Sequence, residues 1–155
     1  MQKNKIILSL NISIFPSIGF TAKMYACYIN KTFKKHKIDI NNEQFIILKA
    51  LTNNNGKPQH DLAAITESDK TSLSRLISTM EKKGFISRKS IKEDKRVKSI
   101  YLTNLGESTY LAALPILNKT TEKLLKGIEA SEISQTIETI NKIQQNITKE
   151  YSFKL

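Results

Sequence analysis

The sequence predicts a mainly α-helical protein that carries one β-hairpin. Apolar residues recur at steps of three and four in several separate segments, which is the spacing of helices with one buried face. Between residues 85 and 102 the pattern changes to alternation on both sides of the charged run "KEDKR", which favours two strands joined by a turn. A length of 155 residues suits one domain, so we expect a single domain over residues 1–155.

The N-terminal part predicts two helices after an ambiguous start. Residues 1–14 alternate like a strand but could equally be an extension, and the first helix is expected from about Pro16 to Lys37. The run "DINN" breaks that helix and caps a second one, from Glu43 to Thr52. In the first helix Phe20, Met24, Cys27, Tyr28 and Lys31 follow the three- and four-residue steps of a largely apolar stripe. In the second helix Phe45, Leu48 and Leu51 lie on one stripe.

The middle of the chain predicts a short helix, a tight connection and a longer helix. "NNNGKP" is a loop, and Pro58 is suited to the first turn of a helix that ends near Thr66. The next helix is expected from about Asp69 to Lys83, with Ser68 or Asp69 as its N-cap. Gly84 is suited to the position that follows its C-terminus.

The hairpin and two further helices complete the predicted order. The strands are expected at 85–91 and 97–102, and Thr103 caps a long helix to about Gly127 that Pro115 should kink. Ser131 opens the last helix. The apolar seam of that helix consists of Ile133, Ile137, Ile140, Ile143 and Ile147.

The charge is strongly positive and unevenly distributed. The formal net charge is +11, which favours a polyanionic partner: nucleic acid first, an anionic membrane surface second. General basicity for solubility is the alternative. Residues 106–155 are neutral overall, so the C-terminal third is not built to meet a polyanion. The three arginines, Arg75, Arg88 and Arg96, all lie in the middle segment, where the planar guanidinium group suits contacts to phosphate or guanine.

A short helix, a tight turn and a longer helix form a helix-turn-helix, and a hairpin after it gives the winged version. In the longer helix an apolar stripe contains Leu73, Leu76, Ile77 and Met80. The opposite side presents Thr71, Arg75, Ser78 and Lys82, which suit a DNA major groove. An ordinary surface helix could show the same residues, but the basic hairpin beside it favours DNA binding.

The charged run "KEDKR" is interpreted as the tip of a wing that contacts DNA. Lys92, Lys95, Arg96 and Lys98 would supply phosphate contacts, and an arginine can enter a narrow minor groove. Asp94 would repel DNA unless it orients Arg96 or pairs with Arg75 or Arg88. An ordinary solvated turn is the alternative.

The run from Asp61 to Glu107 contains the motifs "DLA", "SRLI…MEKKGFISR", "DKR" and "LTNLG". With weaker similarity through "NNEQFIILKAL", these motifs resemble the MarR family of bacterial transcription regulators, in which "DKR" matches the D-x-R wing motif. The combination is specific, although each piece alone would be weak, and the resemblance covers about two thirds of the chain.

The resemblance implies a triangular homodimer that meets successive major grooves of a pseudo-palindrome. Residues 1–40 and 104–155 would form the dimerisation helices, and 41–103 the winged helix-turn-helix region. The family's wing arginine and aspartate map onto Arg96 and Asp94. The isoleucine seam of the last helix would be part of the dimer arm, with packing inside one subunit as the alternative.

These observations and the resemblance predict a transcriptional regulator that binds double-stranded DNA. It is expected to repress transcription and, less often, to activate it. A winged-helix module that binds proteins and not specific DNA is the alternative. The expected DNA-contacting residues are Gln59, Ser68, Lys70, Thr71, Ser72, Ser74, Arg75, Ser78, Lys82, Arg88, Lys92, Asp94, Lys95, Arg96 and Lys98. His60 could contact phosphate, but a solvated surface position is the favoured interpretation.

The family resemblance implies a regulatory small molecule, because members of that family often sense small aromatic acids, metals or oxidants. Tyr25, Tyr28 and Tyr110 could line a cleft for a small aromatic effector, unless they simply belong to the core. Cys27 follows the apolar stripe and falls about ten residues too late for the sensing cysteine of redox-responsive relatives. A buried, inert thiol is therefore the favoured interpretation.

No catalytic or cofactor-binding pattern is expected in this chain. There are two histidines, one cysteine and no glycine-rich phosphate loop, so we expect neither an enzyme nor a metal or cofactor site. Polar residues interrupt the apolar N-terminus, and no apolar run approaches a membrane span of roughly 20 residues. The expected location is the bacterial cytoplasm, and a membrane-associated or exported protein is the alternative.

Overall fold

The structure is a computed structural model that describes residues 14–66, 69–90 and 98–151. It confirms the mainly α-helical, winged architecture. The elements in these residues are α1 (Ile14–Lys35), α2 (Asn42–Asn53), β1 (Lys57–Pro58), α3 (Gln59–Thr66), α4 (Lys70–Lys82), β2 (Ile86–Ser90), β3 (Lys98–Leu102), α5 (Asn104–Leu124) and α6 (Ala130–Glu150). The strand pattern of residues 1–13 and the "KEDKR" tip lie outside the described residues.

Side-chain caps at Asn41, Asp69 and Thr103 hold the starts of α2, α4 and α5 where the sequence predicted them. Asn41 and Gln44 form a reciprocal capping box at the start of α2, and the Thr103 hydroxyl accepts from the Gly106 amide at the start of α5. The helix α6 begins at Ala130, one residue before the expected start at Ser131, and Glu129 is its N-cap. The Glu132 side chain accepts a 2.9 Å hydrogen bond from the Glu129 amide, which satisfies a donor at that end.

A third strand joins the hairpin, and the sequence analysis did not predict it. The sheet is antiparallel with the order β1-β3-β2. Pro58, expected in the first turn of α3, instead pairs with Ser99 in the edge strand β1. An edge strand tolerates proline because its outer side needs no amide donor. This short strand ties the hairpin to the helix-turn-helix.

The core lies between α2, α3, α4, the sheet and α5. Its fully buried members include Leu48, Leu62, Ile77 and Ile100. The face of α1 that packs on this core carries Ile29 and Phe33.

The predicted core stripe of α1 was therefore wrong. Phe20 is 66% exposed, and Met24 and Tyr28 are also exposed. Both sides of this helix are apolar, so the helical spacing alone could not tell which side packs within the subunit. Cys27 lies on the exposed side, which corrects the expectation of a buried thiol.

The helices α5 and α6 form the C-terminal arm. The helix α5 continues through Pro115 and ends at Leu124, three residues before the expected end. None of the residues of α6 is buried within this subunit, and Ile137 is 53% exposed. The isoleucine seam is therefore not satisfied by packing inside one copy of the chain.

Candidate nucleic-acid interface

The helix α4 separates an apolar face from a polar one, as the sequence predicted. Leu73, Ile77 and Met80 are buried, and Leu76 packs against the same core while partly buried. Five of the expected DNA-contacting residues of this helix are exposed: Lys70, Thr71, Ser72, Arg75 and Lys82. Ser74 and Ser78 are half-buried. The exposed set combines three cations with hydroxyl groups, which suits contacts to phosphates and base edges.

The N-terminus of α4 is held by Asp69, as predicted. Its Oδ1 accepts hydrogen bonds from the amides of Thr71 at 2.8 Å and Ser72 at 3.0 Å, and the Ser72 hydroxyl donates to Oδ2 at 2.7 Å. The Ser72 hydroxyl, followed by these amides, lowers the pKa of Asp69 below its ordinary value. Ser72 therefore uses its hydroxyl proton in the cap, although it was expected to contact DNA.

Arg88 connects the wing to α4 through contacts with two residues of that helix. Its side chain is 18% exposed, its Nε lies 3.0 Å from Glu81 Oε2, and its Nη2 donates to the Ser78 hydroxyl at 2.6 Å. The Nε–Oε2 contact is an ion pair without hydrogen-bond geometry, so the Ser78 bond is the directional part. The Arg88 amide also donates to Glu81 Oε1 at 3.3 Å. Among the described residues the ion-pair partner of Arg88 is Glu81, and Asp94, the partner considered from the sequence, lies outside them.

Of the remaining residues that were predicted to contact DNA, the structure describes some, and the others lie outside the described ranges. Gln59 begins α3 and is half-buried, and Lys98 is exposed at the start of β3. His60 is exposed and lies 3.1 Å from Asp61, in agreement with a surface position. The predicted wing and turn contacts outside the described residues are Ser68, Lys92, Asp94, Lys95 and Arg96.

Lys89 is a further exposed cation that the sequence analysis did not select. Its ammonium lies 4.9 Å from the centroid of the Tyr101 ring, within the range of a cation–π contact. The alternation of β2 places Arg88 and Lys89 on opposite faces of the sheet, so Lys89 points away from the Arg88–Glu81 pair. That alternation was the one indication in the sequence that could have identified it.

The three tyrosines expected in an effector cleft have different surroundings. Tyr110 stacks on Phe45 with ring centroids 5.2 Å apart, and both Tyr110 and Tyr25 pack against the core. Tyr28 instead borders a cavity of about 450 Å³ between α1 and α5. The other lining residues are Thr32, Lys35, His36, Pro115, Ile116, Lys119, Thr120 and Lys123.

The described ranges 14–66, 69–90 and 98–151 contain neither a cluster of metal-binding side chains nor a membrane-spanning helix. No group of three or more His, Cys, Asp or Glu side chains lies close enough there to hold a metal ion. None of the helices in these ranges is long and apolar enough to cross a bilayer.

Comparison with known proteins identifies the same region of the chain. The MarR family model matches residues 40–98, which span α2 to the start of β3. A solved transcriptional regulator, SlyA, superposes with a TM-score of 0.80 at 26% identity, covering 92% of this chain and 99% of that one.

A structure from Listeria monocytogenes adds a relative with bound DNA. It is a MarR family transcriptional regulator in complex with a 26mer DNA, and it superposes with a TM-score of 0.75 at 29% identity. The match covers 88% of this chain and 89% of that one. A SlyA-like regulator from the same organism has a TM-score of 0.76 at 29% identity, covering 87% and 89% of the two chains.

Proposed function

The winged helix-turn-helix of this chain is a MarR family domain, and from that premise we propose that the protein is a sequence-specific DNA-binding transcriptional regulator, in most contexts a repressor. It acts as a homodimer on a pseudo-palindromic operator in the cytoplasm. The observation that carries this proposal is the exposed cationic surface of α4, with Arg75 and Lys82 opposite the apolar face and Lys70 in the first turn. The 26mer complex of the Listeria monocytogenes relative supports a duplex as the ligand.

The helix α4 would occupy the major groove and the wing the adjacent backbone and minor groove. Lys70 and Thr71 lie in the first turn of α4, and Arg75 follows one turn later on the exposed side. An arginine there can form a bidentate contact to guanine, and a lysine in the first turn can meet a phosphate. Of the wing residues, Arg96 is proposed for the minor groove and Lys98 for phosphate.

The apolar surface that one copy leaves exposed supports the proposed homodimer. The large exposed side chains on the helices at the two ends include Phe15, Phe20, Leu111, Ile137 and Ile147. A second copy would bury these groups between interleaved arms, since monomeric proteins rarely expose large contiguous apolar patches. Two-fold symmetry then presents two copies of α4 to one duplex.

A small anionic aromatic molecule is the proposed effector. The cavity beside Tyr28 combines apolar side chains, including Pro115 and Ile116, with the cations Lys35, Lys119 and Lys123. A carboxylate would meet the ammonium groups while its ring contacts the apolar wall.

A hydroxybenzoate should weaken operator binding of the wild type, and Lys119→Glu should remove this response. Lys31→Glu, outside the cavity, should retain it.

Fluorescence anisotropy with an operator duplex tests the central proposal. Arg75→Gln should weaken specific binding by about 1–3 kcal/mol, which is the usual contribution of one bidentate base contact. Lys149→Gln removes the same charge from the exposed end of α6 and is the matched control. Equal binding by the two variants would contradict the role of α4. Weak binding of every sequence by the wild type would indicate the protein-interaction module instead.

A further inference from the structure

The loop between α2 and β1 holds the base of the wing through the Asn55 side chain. The Asn55 Oδ1 atom accepts hydrogen bonds from the Leu102 amide at 2.8 Å and from the Gly56 amide at 3.1 Å. The Gly56 amide is also within 3.1 Å of the Ile100 carbonyl oxygen. These bonds extend the two-residue pairing of β1 with β3, so the wing is fixed to the helix-turn-helix body more firmly than the short strand alone would allow.

The ring of Tyr101 packs directly against the backbone of Gly56. A Cβ at this position would lie 2.9 Å from Tyr101 Cε1 and 3.1 Å from Cζ, which is closer than van der Waals contact allows. The residue also has a φ of +83°, a conformation that side chains other than glycine rarely adopt. Any side chain at position 56 must therefore displace the ring, the loop or both.

Tyr101 in turn holds the ammonium of Lys89. The register pairs Ser87 with Tyr101 and Lys89 with Ser99, so Lys89 and Tyr101 are diagonal neighbours on one face of the hairpin. The 4.9 Å separation of Nζ and the ring centroid restricts an otherwise mobile side chain. A continuous set of contacts thus runs from the α2–β1 loop to an exposed cation on the wing.

We propose that Gly56 and Tyr101 are positioning residues for DNA binding, and that Lys89 is a phosphate-contacting residue which they orient. The inference rests on the proposed function, because it requires a duplex beside the wing. A cation that is already restrained loses less conformational freedom when it meets a phosphate. Arg88, on the other face of β2, is engaged with Glu81 and cannot replace Lys89 without breaking that pair.

Operator binding across a salt series tests the proposal on full-length protein. Neutralising one phosphate contact per bound subunit changes the slope of log K against log salt by about 0.9. Lys89→Gln should therefore lower the magnitude of the slope by about 0.9 per subunit and weaken binding to every duplex by a similar factor. Tyr101→Leu and Gly56→Ala should produce the same loss of slope, while Tyr101→Phe, which keeps the ring, should preserve it.

Two comparisons separate positioning from simple damage to the fold. Gly127→Ala also places alanine at a positive φ, of +82°, but in open space between α5 and α6, so it should keep the wild-type salt slope even if dimerisation, and with it affinity, changes. Adding Lys89→Gln to Gly56→Ala should cost little beyond either change alone, because both would remove one contact.

An unchanged salt slope for Lys89→Gln, with wild type bound tightly, would overturn this inference and leave the proposed function intact. A normal slope for a folded Gly56→Ala protein would overturn the positioning role. Absence of duplex binding by the wild type would overturn the inference and the proposed function together.

Discussion

Gly106 lies where the start of α5 closely approaches the backbone that follows α4. A Cβ there would collide with the Phe85 carbonyl oxygen, and it would also lie 2.8 Å from Leu102 Cδ1. The neighbouring Thr103 donates its amide to the Phe85 carbonyl and its hydroxyl to the Gly84 carbonyl. The glycine of "LTNLG" is thus required by a backbone contact that joins α5 to the end of α4.

We predict that Gly106→Ala lowers the free energy of unfolding by about 1–3 kcal/mol, the usual effect of overpacking a close contact. Gly19→Ala is the matched control, because Gly19 lies in the helix α1 with nothing within 4 Å of the added Cβ. That change should be stabilising by about 0.5–1 kcal/mol, through helix propensity. Urea denaturation at equal protein concentration measures both, and a destabilisation no larger at Gly106 than at Gly19 would contradict the contact.

Asp69 gives a pH-dependent contribution to stability. Its folded-state pKa is lowered, first by the Ser72 hydroxyl, so the carboxylate stabilises the fold at neutral pH. That contribution is fully present above the unfolded pKa and is lost as the pH falls through the lowered folded-state value. We expect Asp69→Ala to reduce the urea midpoint at pH 7 and to differ progressively less from wild type as the pH falls below about 4. A difference in urea midpoint that stayed constant with pH would show that the negative charge of Asp69 does not contribute to the stability of the cap.

At the scale of elements, α4 and the wing are one unit because Arg88 joins them. The guanidinium bridges Ser78 and Glu81 on successive turns of α4 from a position in β2. The orientation of the wing relative to the exposed face of α4 therefore depends on a largely buried side chain. Removing either partner would leave a charged group without its ion-pair partner.

A double-mutant cycle with Glu81→Gln and Arg88→Met should give a coupling energy of about 1 kcal/mol in unfolding experiments. The double variant should be more stable than the sum of the single changes predicts, because no charge is left without a partner. Lys142 and Glu138, an exposed pair on α6 with a 2.7 Å separation, provide the control cycle. That pair should couple by only about 0.3–0.5 kcal/mol. Equal coupling in the two cycles would contradict a special role for Arg88.

Sequence patterns predicted most elements because their ends carry local chemistry. Asn41, Asp69 and Thr103 are caps whose partners lie within three residues, so neighbouring letters suffice to identify them. The strand β1 was missed because two residues cannot show alternation, and its existence depends on pairing with β3, some forty residues later. The Arg88–Glu81 pair was missed because a turn and a change of element separate its members.

The exposed face of the candidate site could be predicted from the sequence, but its contacts between separate elements could not. The exposed face of α4 follows from the 100° step alone, and Thr71, Arg75 and Lys82 are exposed where it places them. Spacing could not show that Tyr110 contacts Phe45, or that Lys89 contacts Tyr101, because both contacts join separate elements. Nor could it distinguish the core face of α1 from a face that a second copy would cover.

At the scale of the whole molecule, the proposed dimer explains why a long helix has no buried residue. The helix α6 has 21 residues with isoleucines on one side, and Ile137 and Ile147 are 53% and 42% exposed. Such a helix gains little stability inside one subunit, since most helical stability in proteins comes from packing an apolar face. Association of two copies would supply that packing.

Ile137→Glu should therefore produce a monomer, because a buried carboxylate without a partner is strongly disfavoured at an interface. Gln145→Glu adds the same charge to α6 away from the isoleucine seam and should remain dimeric. Sedimentation velocity at micromolar concentration measures both. A dimer that tolerated Ile137→Glu would place the interface elsewhere, and a monomeric wild type would contradict the proposed assembly.

Selection of bound duplexes from a random library, by wild type and by Arg75→Gln, tests the central claim most directly. The wild type should enrich a palindrome with two half-sites one helical turn or a multiple of it apart, bound by two subunits with a steep salt dependence. Arg75→Gln should relax the preference at one base pair in each half-site. No enriched sequence for the wild type, or an identical enriched palindrome for both proteins, would contradict sequence recognition by α4.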